Sequence, residues 1–228
     1  MRDLSKNTIQ KTKVAIIGSG FGGLAMAIRL LQSQIHDFVI LEKSNDVGGT
    51  WRENQYPGAA CDVQSHMYSL SFAPKTDWSK RYAEAGEIFD YVQDITTQYK
   101  LKDYCKFQHE VIHTEFDETR NVWTVQIKDQ PTLEAQFVIF ASGPLHVPQI
   151  PHIKGIENFK GKVFHSSQWD HNYDLTGKSV ASIGTGGSAI QYIPEIAKQV
   201  KQLDVYQRNA AWVLPRDERK YTKLSKNL

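Results

Sequence analysis

A glycine-rich turn near the start of the chain constrains the fold more than any other stretch. Four apolar residues, 14–17, lead into Gly18, Gly20 and Gly23, which have the spacing Gly-x-Gly-x-x-Gly. Apolar residues then recur at helical intervals as far as Leu31. This order predicts a strand, a tight turn and a helix whose N-terminus faces a phosphate group. Gly18 would permit the turn, Gly20 would let a pyrophosphate approach the backbone, and Gly23 would let the helix pack closely on the strand.

A second apolar stretch, residues 38–41, ends in Glu42. Glu42 lies roughly 20 residues beyond the first glycine, where the dinucleotide fingerprint places an acidic residue. A carboxylate at this position can accept hydrogen bonds from ribose hydroxyl groups. The pattern therefore predicts a dinucleotide site, and an ordinary strand–turn–helix without a ligand is the alternative.

The same pattern returns later in the chain. Residues 179–183 predict a strand, and residues 184–189 then fit the form Gly-x-Gly-x-x-(Gly or Ala). A helix over residues 188–200 and a strand over residues 203–206 should follow. The chain therefore carries a second candidate dinucleotide site.

The two units differ in the residue that follows the second strand. Arg208 stands as far beyond Gly184 as Glu42 stands beyond Gly18. A carboxylate suits a free ribose hydroxyl, whereas a guanidinium suits a 2′-phosphate. We therefore expect the first site to hold a dinucleotide without that phosphate and the second to prefer NADP(H). A solvated surface role is the alternative for Arg208.

The segments between the two units predict an α/β fold. Residues 84–100 have an amphipathic helical pattern, and residues 107–115 and 122–128 alternate in polarity, as in an antiparallel hairpin or meander. Residues 136–141 predict a buried strand that rejoins the parallel sheet beside the first strand.

We therefore predict two dinucleotide-binding (Rossmann-like) domains with a parallel sheet and an antiparallel meander, of which the second domain is incomplete. Prolines at positions 144, 148 and 151 mark a semi-rigid connection. They place the boundary near residue 150, between an FAD-binding domain over residues 1–150 and a linker with the start of an NADP-binding domain over residues 151–228. The last residues, 216–228, are highly charged, and we expect them to fray.

Composition narrows the classes of function. The chain carries 27 basic and 25 acidic residues, a net charge of +2, which does not favour a nucleic-acid or membrane-surface partner. No apolar run has the length of a membrane span, and residues 1–13 lack the apolar segment of a signal peptide. The two cysteines, Cys61 and Cys105, exclude a disulfide framework and fit a reducing cytoplasm. The histidines do not have metal-ligand spacing, so no metal site is predicted.

The connection between the two units carries a longer motif. Residues 159–170 match the pattern Phe-x-Gly-x-x-x-His-x-x-x-Trp-(Pro/Asp). This stretch resembles the fingerprint of the Baeyer–Villiger monooxygenases, the class B flavoprotein monooxygenases. Residues 48–51, 56–62 and 207–216 are also similar to segments of this family. The resemblance extends from about residue 13 to residue 216.

The resemblance implies an FAD- and NADPH-dependent enzyme. NADPH would reduce FAD, the reduced flavin would capture O₂ as a C4a-peroxide, and the peroxide would convert a small-molecule ketone into an ester or lactone. The N- and S-oxygenating flavin-containing monooxygenases, which usually carry Tyr or Phe where Trp169 stands, are an alternative. A catalytically inactive flavin-binding fragment is another, because family members are considerably longer and this chain resembles their N-terminal portion.

The resemblance also assigns cofactor-binding residues by motif position. The FAD pyrophosphate and ribose would contact Gly18, Gly20, Gly22, Gly23 and Glu42. The flavin would lie along Thr50, Trp51, Asp62 and Tyr68, and the adenine would meet the backbone of Val111. NADP would be held by Gly184, Thr185, Gly186, Gly187, Ser188, Ala189, Gln191 and Arg208.

Asp62 is the candidate catalytic residue. In the family an aspartate at this position orients an arginine beside the flavin, and that arginine stabilises the peroxide anion. The motif that carries the arginine does not occur in this chain. His165 lies in the connection between the units, where a structural or conformational-coupling role competes with acid–base chemistry. Ala60 stands where many relatives have Arg, a change expected to affect nicotinamide contacts or substrate preference.

Overall fold

The computed structural model describes residues 9–145, 147–210, 212 and 214–222. The chain divides into two compact units. The first consists of Met1–Thr50 and Asp90–Leu145, and the second of Trp51–Phe89 and His146–Leu228. The predicted functional domains, residues 1–150 and 151–228, divide the chain differently and stay a prediction. Of the segments that carry the resemblance, Ala211 and Val213 lie outside the described residues, as do the first eight residues of the predicted polar N-terminus.

A six-stranded mixed sheet organises the first unit, with the strands in the order β3-β2-β1-β6-β5-β4. The strands are β1 (Gln10–Ile17), β2 (Phe38–Leu41), β3 (Cys105–Lys106), β4 (Val111–Asp117), β5 (Val122–Ile127) and β6 (Leu133–Phe140). β1 pairs in parallel with β2 on one side and with β6 on the other, and β4, β5 and β6 form an antiparallel meander. The predicted return of the sixth strand to the parallel sheet is confirmed.

Two strand boundaries differ from the sequence prediction. β6 begins at Leu133 rather than at residue 136, because Leu133 and Ala135 pair with β5 on one side and with β1 on the other. β4 begins at Val111 rather than at residue 107, because Gln108 has a φ of 58° and breaks the extended backbone.

The helices follow the apolar periodicity. They are α1 (Phe21–Gln32), α2 (Thr50–Glu53), α3 (Ala85–Gln98) and α4 (Ala189–Ile196). α1 buries Leu24, Ala27 and Ile28 completely, and burial of a side chain such as Leu24 contributes about 1.5–3 kcal/mol. A core cluster of the first unit joins residues of β1, β2, β5 and β6: Ala15, Leu41, Val125, Ile127, Leu133 and Ala135. The end of β1, which leads into the first glycine-rich turn, is therefore anchored in the core.

The second unit contains the repeated strand–helix–strand pattern. β7 (Ser179–Ile183) pairs in parallel with β8 (Gln202–Tyr206), and α4 connects them. α4 is shorter than the predicted helix over residues 188–200. The chain turns after Ile196, whose carbonyl oxygen accepts hydrogen bonds from the backbone N–H groups of Gln199 and Val200.

The expected fraying of the charged tail is wrong for the part that the structure describes. The backbone N–H of Arg81 donates to Arg219 at 2.9 Å, and that of Tyr221 donates to Ser79 at 2.9 Å. The guanidinium of Arg216 lies 4.7 Å from the ring centre of Tyr82. Residues 223–228 lie outside the described residues.

Candidate functional site

The first glycine-rich turn has the conformation that only glycine permits. Gly18 has a φ of +101°, and a Cβ atom there would lie 2.6 Å from the carbonyl oxygen of Ala141. Its N–H donates to the carbonyl of Leu41, the last residue of β2, at 2.8 Å. A Cβ on Gly23 would lie 2.0 Å from the carbonyl oxygen of Gly18. These two glycines therefore serve the turn and the packing of helix on strand, as predicted.

Gly20 differs from these two, because no contact with the residues that the structure describes requires it to lack a side chain. Its φ is −78°, and a Cβ would find its nearest neighbour, the Cα of Gly49, at 3.6 Å, an ordinary contact. Gly20 is the N-cap of α1, whose first N–H groups have no intrahelical acceptor. A Cβ on Gly22 would also meet only an ordinary contact, 3.8 Å from the Ala141 Cβ. The free space and the positive helix end at Gly20 fit a phosphate group.

A second glycine pair lines this turn. The N–H of Gly48 donates to the carbonyl of Ser19 at 3.1 Å. Gly49 has a φ of +53°, and a Cβ there would lie 3.0 Å from the Cα of Gly20. Residues 48–49 therefore pack backbone to backbone on the turn, which accounts for two glycines in sequence at this position.

Glu42 lies beside the turn at the end of β2. It is 4% exposed, and its Oε2 accepts hydrogen bonds from the N–H and the hydroxyl of Ser19 at 2.9 and 2.7 Å. Its Oε1 accepts from the N–H of Ser44 at 3.0 Å. These bonds fix the carboxylate at the end of β2, beside the turn, where the dinucleotide fingerprint places the ribose-binding acid. Val111, the predicted adenine contact, begins β4 and packs against the core cluster of this unit.

The second glycine-rich turn repeats the hydrogen bonding of the first. Gly184 has a φ of +105°, and its N–H donates to Tyr206, the last residue of β8, at 2.8 Å. The hydroxyl of Thr185 lies 3.5 Å from Oε1 of Gln207, in the arrangement of Ser19 and Glu42. Among the described residues, no heavy atom lies within 4 Å of a Cβ placed on Gly184, Gly186 or Gly187. The backbone of this turn is therefore open to a ligand.

The structure corrects the alignment of the two units by one residue. Ile17 pairs with Leu41, and Ile183 pairs with Tyr206. Gln207, not Arg208, therefore occupies the position of Glu42. Arg208 lies one residue further along, is exposed, and makes no hydrogen bond or ion pair with the residues that the structure describes. Gln207 could have been recognised from the sequence, because it directly follows the predicted strand over residues 203–206, as Glu42 directly follows the apolar stretch 38–41.

Most of the remaining predicted NADP contacts lie at the start of α4. Ser188 is the N-cap, and its carbonyl oxygen accepts from the N–H groups of Gln191 and Tyr192 at 3.1 Å. Ala189 is buried. The side chain of Gln191 turns to the segment 56–60, where it bonds the Tyr56 hydroxyl and the backbone of Ala60. Sequence reasoning missed this contact, because it joins residues far apart in the chain.

The residues predicted to lie along the flavin are partly brought together. Nε1 of Trp51 donates to the Tyr68 hydroxyl at 3.0 Å, and the two rings meet edge to face at 5.6 Å. Burial raises the pKa of Tyr68 above its ordinary value, so the phenol stays neutral and can donate a hydrogen bond. Thr50 is the first residue of α2. Asp62 is exposed and follows the buried Cys61, whose pKa is raised by burial.

The fingerprint residues have a structural arrangement. Nδ1 of His165 accepts from the N–H of Ser167 at 3.2 Å and lies 2.9 Å from the Ser167 hydroxyl. The His165 side chain thereby caps a short 3₁₀ turn over residues 166–168. Trp169 packs between Phe164 and Tyr192, with ring centres at 5.2 and 5.4 Å. Asp170 pairs with Lys162 at 2.7 Å.

The described residues do not meet the requirements of a metal site, a membrane-spanning helix or a disulfide. They contain no group of three or more His, Cys, Asp or Glu side chains that could hold a metal ion. None of the helices in this part of the chain has the length and apolar character needed to cross a bilayer. Cys61 and Cys105 are free thiols.

Comparisons with known proteins agree with this geometry. Residues 11–222 match the family described as flavin-binding monooxygenase-like. A Baeyer-Villiger monooxygenase of Streptomyces coelicolor is 47% identical over 92% of this chain and 40% of its own length. One from Pseudomonas aeruginosa is 49% identical over 91% of this chain and 39% of its own length.

Solved structures give the same result. The crystal structure of the OTEMO complex with FAD and NADP superposes with a TM-score of 0.88 at 32% identity, over 95% of this chain and 42% of that one. This chain thus spans about 40% of the length of the relatives that it matches. The match over nearly all of its residues shows that the chain belongs to the flavin-binding monooxygenase-like family.

Proposed function

We propose that this chain supplies the FAD and NADP(H) sites of a Baeyer–Villiger monooxygenase. The repeated turn carries the proposal, because Gly18 and Gly184 each donate to the last residue of the neighbouring parallel strand at 2.8 Å. The strand registers align Glu42 of the first turn with Gln207 of the second, so the ribose positions would carry a carboxylate in one site and an amide followed by a guanidinium in the other. When bound, the two cofactors supply hydride transfer and the activation of O₂.

The first turn would hold FAD. The N-terminus of α1 and the space at Gly20 would accept the pyrophosphate, and Glu42 would accept a ribose hydroxyl. The backbone of Val111 would meet the adenine. The flavin would lie along Thr50, Trp51, Asp62 and Tyr68. The neutral phenol of Tyr68, held by Trp51, would present a fixed hydrogen-bonding group.

The second turn would hold NADP(H). The open backbone at Gly184, Gly186 and Gly187 would accept the pyrophosphate, and Arg208 would pair with the 2′-phosphate. Gln207 supports this preference, because an uncharged amide at the ribose position does not repel that phosphate as a carboxylate would. Direct contact of Gln191 with the nucleotide stays a prediction.

Asp62 would act by orienting a cation beside the cofactor. Its exposed carboxylate is available to a guanidinium, and a bidentate pair of that kind fixes the position of the charge. The substrate would be a small-molecule ketone, with O₂ as the second reactant and an ester or lactone as the product. We propose no nucleic-acid or membrane partner. The two free thiols fit the cytoplasmic location that we propose.

The proposal is tested by the visible absorption of the purified protein before and after anaerobic NADPH. A bound flavin that NADPH bleaches supports both sites. Gly20→Ala is the sharpest variant, because the substitution is sterically neutral in the protein itself. Gly86→Ala is its control, since a Cβ there meets nothing within 4 Å among the described residues. We expect Gly20→Ala to lose flavin at a stability cost of no more than about 1 kcal/mol, since alanine is a poorer N-cap than glycine, and Gly86→Ala to retain flavin.

Flavin retention by Gly20→Ala at the wild-type level would contradict the first-site assignment. Aerobic turnover with a ketone and with an amine or sulfide separates the reaction classes. Formation of an ester supports the Baeyer–Villiger reaction, and formation of only an N- or S-oxide would replace it with the related oxygenation.

A further inference from the structure

The side chain of Gln191 makes three hydrogen bonds to one short segment of the second unit. Its Oε1 accepts from the Tyr56 hydroxyl at 3.0 Å and from the Ala60 N–H at 3.2 Å. Its Nε2 donates to the Ala60 carbonyl at 2.9 Å. Both backbone groups of Ala60 are therefore satisfied by one amide side chain.

The opposite edge of this segment is paired with backbone. Ala60 and Glu84 form an antiparallel bridge. The N–H of Cys61 donates to Ala83 at 2.9 Å, and the N–H of Ala85 donates to Ala59 at 2.9 Å. In this pattern the N–H and C=O of Ala60 point away from residues 83–85. The Gln191 amide thus takes the place of a third strand on the free edge.

Close backbone approach and ring packing support the same contact. Gly58 has a φ of +75°, and a Cβ there would lie 2.7 Å from the carbonyl oxygen of Gln191. The ring of Tyr56 packs edge to face on Tyr192, the next residue of α4, at 6.1 Å. Tyr56 is 9% exposed, and its hydrogen bond to Gln191 is partly buried. The segment and the first turn of α4 are complementary at backbone and side-chain level.

We propose that Gln191 is a positioning residue that couples the second glycine-rich turn to the segment 56–62. α4 begins at Ala189, directly after that turn, and Gln191 lies in its first turn. A nucleotide that orders the turn would thereby order the backbone up to Asp62, and an ordered segment would favour nucleotide binding equally. The coupling rests on the proposed NADP(H) site, whereas the contact between Gln191 and Ala60 does not.

Hydrogen exchange and nucleotide titration test the proposal. Exchange of the residue 56–62 peptide is measured with and without NADP⁺ in the wild type and in Gln191→Leu, Gln191→Glu and Gln199→Leu. Gln199→Leu is the matched control, because this exposed side chain has no hydrogen bond among the described contacts. Gln191→Glu keeps the acceptor for Tyr56 and Ala60 and loses the donor to the Ala60 carbonyl.

We expect NADP⁺ to slow exchange of the segment in the wild type and in Gln199→Leu. Gln191→Leu should expose the Ala60 amide to faster exchange without nucleotide and should weaken NADP⁺ binding about tenfold. Gln191→Glu should also speed exchange relative to the wild type, because a carboxylate oxygen would face the Ala60 carbonyl oxygen where the amide donor now stands. If Gln191→Leu does not fold, as judged by circular dichroism, Tyr56→Phe removes a single bond and serves the same comparison.

Two results would overturn the proposal. Unchanged exchange of the segment in Gln191→Leu would show that the amide does not hold it. Faster exchange of the segment in Gln191→Leu with unchanged NADP⁺ binding would show that the contact does not couple the segment to the nucleotide. A wild-type protein that does not bind NADP⁺ would contradict the proposed second site and the coupling, whereas the exchange difference between the variants would still report on the contact.

Discussion

The carboxylate of Glu42 accepts both the backbone N–H and the hydroxyl of Ser19, at 2.9 and 2.7 Å. Glu87 also accepts the N–H and the hydroxyl of one serine, Ser79, but on its two separate oxygens, at 2.7 and 2.6 Å and nearer the surface. Only Glu42 is buried. A comparison of Glu42 with Glu87 therefore tests how much burial adds to a carboxylate–serine contact of this kind.

Glu42→Gln should destabilise the protein by about 1–3 kcal/mol, because the new amide N–H₂ leaves a buried group unsatisfied beside Ser19. Glu87→Gln should cost less than about 1 kcal/mol at its more exposed site. Urea unfolding measures both values. Equal costs for the two variants would contradict the importance of burial, and the flavin content of folded Glu42→Gln reports on the ribose contact.

Gly23→Ala should destabilise the protein by about 1–3 kcal/mol, because the added methyl group overlaps the Gly18 carbonyl and forces α1 away from β1. Gly86→Ala, in α3, should instead stabilise it by up to about 1 kcal/mol through lower backbone entropy in the unfolded chain. Thermal unfolding by circular dichroism compares them. A Gly23→Ala protein as stable as the wild type would remove the packing role.

Arg208→Ala should weaken NADPH binding about tenfold or more and leave NADH binding nearly unchanged, because only NADPH has the 2′-phosphate and charged hydrogen bonds contribute about 1.5–3 kcal/mol. Lys201→Ala, an exposed cation that precedes β8, is the control. Fluorescence titration of both nucleotides gives the ratio. Equal losses for NADPH and NADH would exclude a specific phosphate contact.

Gln207→Glu should lower the preference for NADPH over NADH by about tenfold, because it restores the carboxylate of the first unit at the ribose position and repels the 2′-phosphate. The same titration in low and high salt checks the electrostatic origin, since screening should reduce the effect. Gln207→Leu separates charge from hydrogen bonding. A preference that Gln207→Glu leaves intact would place the phosphate away from this residue.

Cys105 should react slowly with iodoacetamide at about pH 8, because burial and the nearby Glu42 raise the pKa of its thiol to about 12 and the thiolate is the reactive form. The raised pKa also means that the unfolded chain releases this proton before the folded protein does. Stability should therefore fall as the pH rises from the ordinary thiol range towards about 12.

The rate is measured in Cys61→Ala, which leaves Cys105 as the only thiol. The same variant in concentrated urea provides the fully accessible reference. Equal rates in the folded and unfolded states would contradict the burial of this thiol.

The sequence predicted those parts of the fold that depend on local pattern. The turn at Gly18 and the apolar stripe of α1 follow from glycine spacing and helical periodicity, and both lie where they were expected. The edges of elements were less predictable. The start of β6 depends on pairing with two other strands, and the end of α4 depends on a turn whose bonds involve Ile196.

The candidate site was predictable to within one residue at the second ribose position. Equal spacing aligned Arg208 with Glu42. In the strand pairing, however, Ile17 lies opposite Leu41 and Ile183 opposite Tyr206, so the second repeat is one residue shorter than the first. The contact of Gln191 with Ala60 was not predictable, because side-chain bonds across more than a hundred positions leave no periodic trace. The backbone pairing of residues 219–221 with residues 79–81 could not be predicted for the same reason.

The parallel pairing of β1 with β6 has a consequence for how the protein is made. Gln10 pairs with Leu133, so two neighbouring strands are separated by roughly 120 residues of chain, a long-range contact of the kind that slows folding. The Gly18 turn packs on Ala141, whose N–H donates to Ile17 at 2.9 Å. At about 5–20 residues per second on the ribosome, Ala141 is synthesised on the order of ten seconds after the Gly18 turn. During that interval the apolar residues of β1 are open to chaperones or to mispairing.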